Sequence, residues 1–405
     1  MKHINNNEST KVKNNFIFTR YLYEKEEVEI AFIISLLSNK IDESLFWAYE
    51  LFYSGFKKEF FDLLIQVYYD FYASLNPSFG TFIMIKYNEY FVENKVFEDR
   101  FVSMLVYNFI TRPFNLDLFI LRKCVNNIEY ENIEYENANT KKVKKTFKKL
   151  LQEKDYINIS KYVYNLKEKD IKKHVVILTE YFENFIKINK NILKKIDNDK
   201  KNSGSIVDID TQTILLSIIL HFYAIINEIK MGKNIYVVIQ LEEKEKAKYE
   251  TISVNPCYKT LSKIDLYNIN NSNYLHLFEL KRDKNKNLDI NRDIRNAYLN
   301  QWLYYASSTP LWLERINSFQ GIINNETKCI TFLKEDDEEA FYEEFNYEPD
   351  EQKKEIQEKS IQPIVQLEEK NWNTFYSTFQ NHSLLNKTNT NAIHFIDSLN
   401  KIKYT

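Results

Sequence analysis

Apolar residues recur at helical spacing through most of the first half of the chain. Between Lys57 and Leu75 they stand three and four positions apart, which places them on one side of a helix: Phe60, Leu63, Leu64, Val67, Tyr68 and Phe71. Similar segments follow one another over residues 15–200. The pattern predicts an N-terminal array of helices joined by short loops, either helical-repeat-like or an irregular bundle.

Residues that favour helix ends mark the boundaries of this array. Asp42 is suited to cap a helix N-terminus, and Gly55 stands where a left-handed residue would end that helix. The prolines at 77 and 113 each end a predicted helix. The polar stretch DNDKKNSGS at 197–205 predicts a linker. Residues 1–14 predict a disordered tail, and a first domain is expected over 15–200.

The second half, residues 206–384, is predicted to form a helical domain with small β-hairpins. The apolar run Thr211–Asn227 is shorter than the roughly 20 residues of a membrane span and predicts a buried core helix, capped by Thr211 and stopped by Gly232. His221 in this helix is expected to be a core residue and not a general base.

Short β-branched runs predict two hairpins in this half, one pairing 234–240 with 249–254 and one pairing 321–324 with 328–333. Pro310 predicts a helix start, and an acidic helix is expected over 336–345. Residues 385–405 are polar and predict a tail with at most one terminal helix. The expected fold class is therefore mainly α.

The chain contains only five glycines in 405 residues. Glycine lets the backbone approach a phosphate closely, and no two glycines here stand close enough for a P-loop, a dinucleotide-binding loop or a nucleophile elbow. The six histidines fall in no metal-ligand spacing. The sequence therefore predicts no cofactor, no metal site and no catalytic residue, and we expect the protein not to be an enzyme.

One enzymatic alternative stays open. If the stretch LHLFELKRD is a strand, Glu279 and Lys281 share a face. With Asp265 they would form the two carboxylates and lysine that metal-dependent nucleases use to hold Mg²⁺ and orient water. The run Glu335–Glu339 is also acidic, but a solvated first helical turn explains it without a metal.

Charge is distributed unevenly. Residues 141–201 contain 18 Lys and 8 Asp or Glu, whereas the whole chain has a net charge of −2. In KKVKKTFKKLL six lysines surround a narrow apolar stripe: Lys141, Lys142, Lys144, Lys145, Lys148 and Lys149. Such a helix favours contact with nucleic acid, or with an acidic partner or the acidic segment 333–360 of this chain; a solvated face is the third interpretation.

Aromatic residues are concentrated at 46–75 and 297–316. Core packing accounts for most of them, but aromatic side chains are also favoured at the centres of protein interfaces. The sequence therefore predicts partner-binding or inter-domain surfaces in these two regions, and five residues are the candidates: Trp47, Tyr49, Phe52, Trp302 and Trp312.

Three stretches resemble an uncharacterised protein family of nucleocytoplasmic large DNA viruses, the mimivirus-like giant viruses. They are TRYLYEKEEVEIAFIISLL with DESLFWAYELFYSGF (19–56), AYLNQWLYYASSTPLW (297–312) and FYEEFNYEPDEQ (341–352). The resemblance covers residues 15–352 and carries no catalytic residues. It implies a viral protein that acts in host cytoplasm or viral factories, which suits the disulfide-free cysteine pattern and the polar N-terminus without a secretory signal.

These observations favour a non-enzymatic scaffold or adaptor that binds protein partners during replication, gene expression or assembly of a large DNA virus. The alternative is a nucleic-acid-associated factor that uses the lysine-rich region 141–201. No membrane insertion is expected.

Overall fold

A computed structural model describes residues 17–91, 93, 100–127, 140–193, 209–237, 294–345, 353–355, 357, 379 and 383–385. This part of the chain is mainly helical with one small antiparallel sheet, which confirms the predicted fold class. The first helices are α1 Lys25–Leu37, α2 Ile41–Tyr53, α3 Lys57–Val67, α4 Phe79–Phe91, α5 Arg100–Ile110, α6 Asp117–Asn127, α7 Thr140–Glu153, α8 Tyr156–Tyr164 and α9 Glu168–Phe182.

The remaining elements follow in the second half: α10 Lys190–Leu193, α11 Thr211–Ile226, α12 Ile294–Leu299, α13 Trp302–Ala306, α14 Pro310–Ser318, β1 Gly321–Asn324, β2 Cys329–Phe332 and α15 Glu335–Phe345. A single π-helical turn, Tyr68–Tyr72, continues helix α3. The chain forms two compact units, one made of 1–32, 42–57 and 241–367, the other of 33–41, 58–240 and 368–405.

The first unit is held together by aromatic side chains. Trp47 and Trp312 are both fully buried. The Trp47 ring meets the Tyr23 ring edge-on with centroids 5.2 Å apart, and the Trp312 ring meets Trp302 in the same way at 5.2 Å. Edge-to-face packing of this kind suits the charge distribution of aromatic rings. The aromatic-rich segments of the sequence thus build this core.

Most local signals in the first unit are realised as predicted; Asp42, predicted to cap α2, instead lies inside the helix, which starts at Ile41. Gly55 follows α2 with a φ of 92°, the left-handed conformation that glycine adopts without steric cost. Pro310 is the first residue of α14. Gly321–Asn324 pairs with Cys329–Phe332 in the predicted hairpin, with Gly321 opposite Phe332. The acidic helix α15 starts at Glu335, one residue before the predicted start.

The second unit is arranged around helix α11. Residues Thr213–Ala224 of this helix are buried, as expected of a core helix, and α11 packs against α6, α8 and α9. His221 is a core residue whose Nδ1 lies 2.8 Å from the Ser74 carbonyl oxygen. Helix α11 thus packs on helices that precede residue 200, and the division into domains at 15–200 and 206–384 stays a prediction of the sequence.

Three predicted features of this unit differ from the structure. Helix α11 ends at Ile226 with Asn227 as its C-cap, and not at Gly232. Asp210, and not Thr211, caps α11 by accepting a hydrogen bond from the Thr213 N–H at 2.6 Å, because Thr211 is already inside the helix. Residues 234–237 form no strand; the Asn108 side chain of α5 forms hydrogen bonds with Val237 in this segment. The proposed partner strand at 249–254 lies outside the described residues.

Candidate binding face

Helices α7, α8 and α9 pack together in the second unit because each has an apolar side. In α7 the buried residues are Phe147 and Leu151. They face the buried sides of α8 and α9, which contribute Tyr156, Ile159, Tyr162, Val163, Ile171, Ile177, Leu178 and Phe182. Asp155 caps α8 by accepting a hydrogen bond from the Asn158 N–H at 3.1 Å, and the chain therefore turns sharply between α7 and α8.

A buried histidine fixes the contact among these helices. The Phe147 ring stacks on Tyr162 at 4.9 Å and meets the His174 ring edge-on at 5.3 Å. His174 Nδ1 lies 2.8 Å from the Asp170 carbonyl oxygen, so Nδ1 carries the proton and Nε2 accepts from the Tyr162 hydroxyl at 2.8 Å. Burial lowers the pKa of His174, which suits a neutral core residue.

Two tyrosines secure the C-terminal end of α7. The hydroxyls of Tyr181 in α9 and Tyr223 in α11 both donate to the Leu151 carbonyl oxygen, at 3.2 Å and 2.6 Å. That carbonyl belongs to the last turn of α7, where it lacks the usual i+4 donor and also accepts the Lys154 N–H at 3.2 Å. Since Phe147 lies beside His174 and Leu151 beside Tyr181, α7 and α9 run in the same direction.

The lysines of α7 occupy the helix surface next to its apolar side. At 3.6 residues per turn the six lysine positions between 141 and 149 span an arc of roughly 160°, whose centre is about 120° from the side of Phe147 and Leu151 and whose edge, at position 144, is about 20° from Leu151. Lys145 and Lys149 are exposed and Lys148 is half-buried. Lys141, Lys142 and Lys144 belong to the same helix, and their side chains lie outside the described residues.

Helix α9 extends this cationic surface. Lys148 of α7 forms an ion pair with Glu180 of α9 at 3.1 Å. Lys169, Lys173 and Glu180 stand four and seven residues apart, on one side of α9, and both lysines are exposed. We call this surface the lysine face and define it by the α7 lysine positions 141, 142, 144, 145, 148 and 149 together with Lys169, Lys172 and Lys173.

Carboxylates neutralise the lysine face only in part. Lys149 meets Glu153 at 3.6 Å and Lys173 meets Asp170 at 3.5 Å, both near the surface. Exposed ion pairs of this kind are worth roughly 0–1 kcal/mol, so they do not hold the lysines strongly. Residues 145–193 contain eleven Lys against six Asp or Glu. The surface is therefore suited to bind a polyanion or an acidic protein segment.

The α9 lysines were missed as individual candidates by sequence reasoning. Their spacing in EKDIKKH, with lysines at 169, 172 and 173, is a signal for one helical side. Their position beside the α7 lysines, however, depends on the packing of α9 along α7, which no short-range pattern contains.

The aromatic candidates have a different setting. Five residues were predicted to bind a partner, and all five are buried in the first unit: Trp47, Tyr49, Phe52, Trp302 and Trp312. Their side chains are at most 5% exposed, so they offer no aromatic surface in this conformation. Their packing explains their presence, and partner binding by them stays a prediction.

The structure does not describe the residues of the enzymatic alternative. Asp265, Glu279 and Lys281 all lie outside the described residues. Within the described ranges no group of three or more His, Cys, Asp or Glu side chains is arranged to hold a metal ion. Among the same residues, no helix combines the length and the apolar character needed to cross a membrane.

Comparison with known proteins gives no relative. No protein-family model, no curated protein and no solved structure matches the chain. The resemblance to a family of large DNA viruses stays a prediction of the sequence.

Proposed function

We propose that the protein is a non-enzymatic scaffold or adaptor that binds an acidic protein partner through the lysine face of α7 and α9. The single observation that carries this proposal is the Lys148–Glu180 contact at 3.1 Å, because it joins the lysine stripes of two helices into one surface. A surface with an excess of positive charge speeds the encounter with an oppositely charged partner and selects against partners of like charge.

The rest of the lysine face supports a protein ligand. Val176 is 57% exposed and stands on α9 between Lys173 and Glu180. An apolar side chain surrounded by charges is typical of a contact in which one apolar anchor is framed by a polar rim. Because the five aromatic candidates are buried, the charged surface supports the scaffold hypothesis more strongly than they do.

A second candidate function is binding of nucleic acid. The observation that favours it is the composition of α7, which has six lysines and no carboxylate before Glu153 at its end. Lysines spread along one helix would neutralise successive phosphates and release counterions. The segment contains no arginine, the residue that makes most bidentate contacts with phosphates and bases, and this favours the acidic protein partner.

The cellular setting follows from the resemblance alone. As a large-DNA-virus protein, the scaffold would act in host cytoplasm or a viral factory, in replication, gene expression or assembly. Mass spectrometry of complexes purified from infected cells would identify the partner, and an acidic partner whose recovery depends on the lysine face is the expected result.

Binding of defined probes tests the proposed function. Fluorescence anisotropy is measured with a labelled poly-glutamate peptide and with a labelled DNA duplex of equal charge, over a series of salt concentrations. The face variant replaces Lys145, Lys148 and Lys149 with Gln. The control variant removes the same charge from Lys58, Lys230 and Lys233, which are exposed elsewhere in the second unit.

The expected result is poly-glutamate binding that weakens at least about tenfold in the face variant and stays unchanged in the control. Tighter binding of DNA, with a steep linear loss of log affinity against log salt, would favour the second candidate instead. Equal binding by parent, face variant and control would overturn both.

A further inference from the structure

Helix α15 carries an acidic stripe that matches the lysine face. Glu335, Glu339 and Glu343 stand four residues apart and are exposed. Phe341, on the opposite side of the helix, is fully buried, and its ring packs against the rings of Phe319, Phe332 and Trp312. The apolar side therefore fixes the orientation of α15 and directs the three carboxylates to solvent.

The α7 lysines repeat with the same spacing. Positions 141, 145 and 149 also stand four residues apart on one helix. At a rise of 1.5 Å per residue, both stripes repeat about every 6 Å. Two helices laid side by side can then bring three lysines opposite three glutamates, and the equal spacing makes the match one of geometry as well as of net charge.

We propose that α15 of one copy of this chain docks on the lysine face of a second copy. The inference rests on the proposed function of that face and names its partner. Each surface also exposes one apolar side chain. Val176, beside the α9 lysines, is 57% exposed, and Leu333, just before α15, is 62% exposed. These two side chains supply an apolar contact that ion pairs alone would lack.

The contact is heterologous, because the two docking surfaces are different patches of the chain. Each copy that offers its α15 still has its own lysine face exposed to a third copy. Association of this kind continues until it closes into a ring or grows into a chain. In both outcomes the scaffold consists of many copies of the chain in equivalent environments.

Complementation between two variants tests the inference. The face variant replaces Lys145, Lys148 and Lys149 with Gln, and the stripe variant replaces Glu335, Glu339 and Glu343 with Gln. All six positions have charged side chains on helix surfaces, and circular dichroism checks that both variants fold. Sedimentation velocity then measures the mass of each protein at low and at high ionic strength.

The parent is expected to exceed its monomer mass of 48.8 kDa at low salt and to dissociate at high salt, since ion pairs between exposed charges are screened. Each variant alone is expected to be a monomer. Mixed in equal amounts, the two variants are expected to form a dimer and nothing larger, because one intact lysine face and one intact acidic stripe remain.

A parent that is monomeric at low salt, or a mixture of variants that stays monomeric while the parent assembles, overturns the inference. The proposed function is judged separately by the poly-glutamate probe. The stripe variant should bind that probe as the parent does, and a monomeric parent that still binds it would leave the proposed function standing while self-association is rejected.

Discussion

The Asp117 carboxylate and the Ser383 hydroxyl are hydrogen-bonded at 2.5 Å across 266 positions of sequence. Asp117 is the first residue of α6 and is fully buried. Its second oxygen accepts a hydrogen bond from the Leu384 N–H at 2.8 Å. The Asp117 carboxylate thus links residues 383 and 384 to the start of α6.

This attachment predicts a pH-dependent stability. Burial raises the pKa of Asp117 from 3.8 to about 6, while the hydrogen bonds from Ser383 and Leu384 lower it. The folded-state pKa is above the unfolded value, so the stabilising contribution is fully present below about pH 4 and is lost as the pH rises through 6. One pKa unit corresponds to 1.36 kcal/mol, so roughly 2–3 kcal/mol is involved.

The measurement is urea unfolding of the parent and of Asp117→Asn between pH 3.5 and 7.5. The difference in free energy of unfolding between the two proteins should change by that amount, because other titrating groups cancel. A difference that is constant over this pH range would contradict the assignment. Ser383→Ala removes a hydrogen bond to the carboxylate and should move the transition to higher pH.

A buried ion pair in the first unit gives the second prediction. Arg20 Nε lies 2.8 Å from Glu50 Oε2, and the two side chains are 1% and 0% exposed. Glu50 Oε1 also accepts the Tyr21 N–H at 3.1 Å. Replacing Glu50 with Gln removes the charge that balances a buried guanidinium, which costs about 3–5 kcal/mol.

Chemical denaturation with a double-mutant cycle tests this prediction. Arg20→Met combined with Glu50→Leu should recover much of the loss, since neither charge is then left unbalanced. The exposed pair Lys58–Asp62, at 2.8 Å, serves as the control, and Lys58→Gln should change the free energy of unfolding by less than about 1 kcal/mol. A small effect of Glu50→Gln would show that the pair is not buried in solution.

Glycine conformation gives the third prediction. Gly55 has a φ of 92°, and a Cβ at this position would lie 2.6 Å from Pro310 Cβ. Gly55→Ala should therefore lower the free energy of unfolding by more than about 1 kcal/mol. Gly321 is the matched control, because an added Cβ there meets Ile316 Cγ2 at the same 2.6 Å without a left-handed φ. Equal losses for the two variants in thermal unfolding would assign the effect to crowding alone.

The sequence predicts the features of the fold that depend on neighbouring residues. Gly55, Pro310 and the hairpin at 321–332 depend on a few adjacent residues, and the sequence predicts them at or within one residue of their positions. The α7 lysine stripe is likewise contained in one helical segment. Local conformational preferences are sufficient for features of this kind.

Features that depend on distant segments were not predicted. The attachment of Ser383 to Asp117 and the position of α9 beside α7 both join residues that are far apart in sequence. Residues 234–237 show the same limit: the β-branched run favours a strand, but tertiary contacts with α5 decide its structure. Without an alignment, no pattern in one sequence identifies such pairs.

Asn108 and Val237 give the fourth prediction. The Asn108 amide group donates to the Val237 carbonyl oxygen at 2.8 Å and accepts the Val237 N–H at 3.0 Å, as a neighbouring strand would. Arg112 donates to the Ile235 carbonyl oxygen at 2.8 Å, and the Tyr236 ring stacks on Phe82 with centroids 4.2 Å apart. Asn108 therefore satisfies both backbone polar groups of Val237.

Replacing Asn108 with Asp keeps the shape of the side chain but exchanges its N–H donor for an oxygen that faces the Val237 carbonyl. Residues 234–237 should then detach, since two acceptors face each other and the half-buried Val237 carbonyl oxygen loses its hydrogen bond. Detachment also breaks the hydrogen bond from the Val237 N–H to the side-chain oxygen of residue 108, which protects that amide. Hydrogen exchange measured by mass spectrometry should therefore show faster exchange of the Val237 amide, by about tenfold or more. Asn184→Asp, on the exposed surface of the same unit, should leave the exchange unchanged. Unaltered protection of Val237 in Asn108→Asp would mean that Arg112 and the Tyr236–Phe82 stack hold the segment without the asparagine.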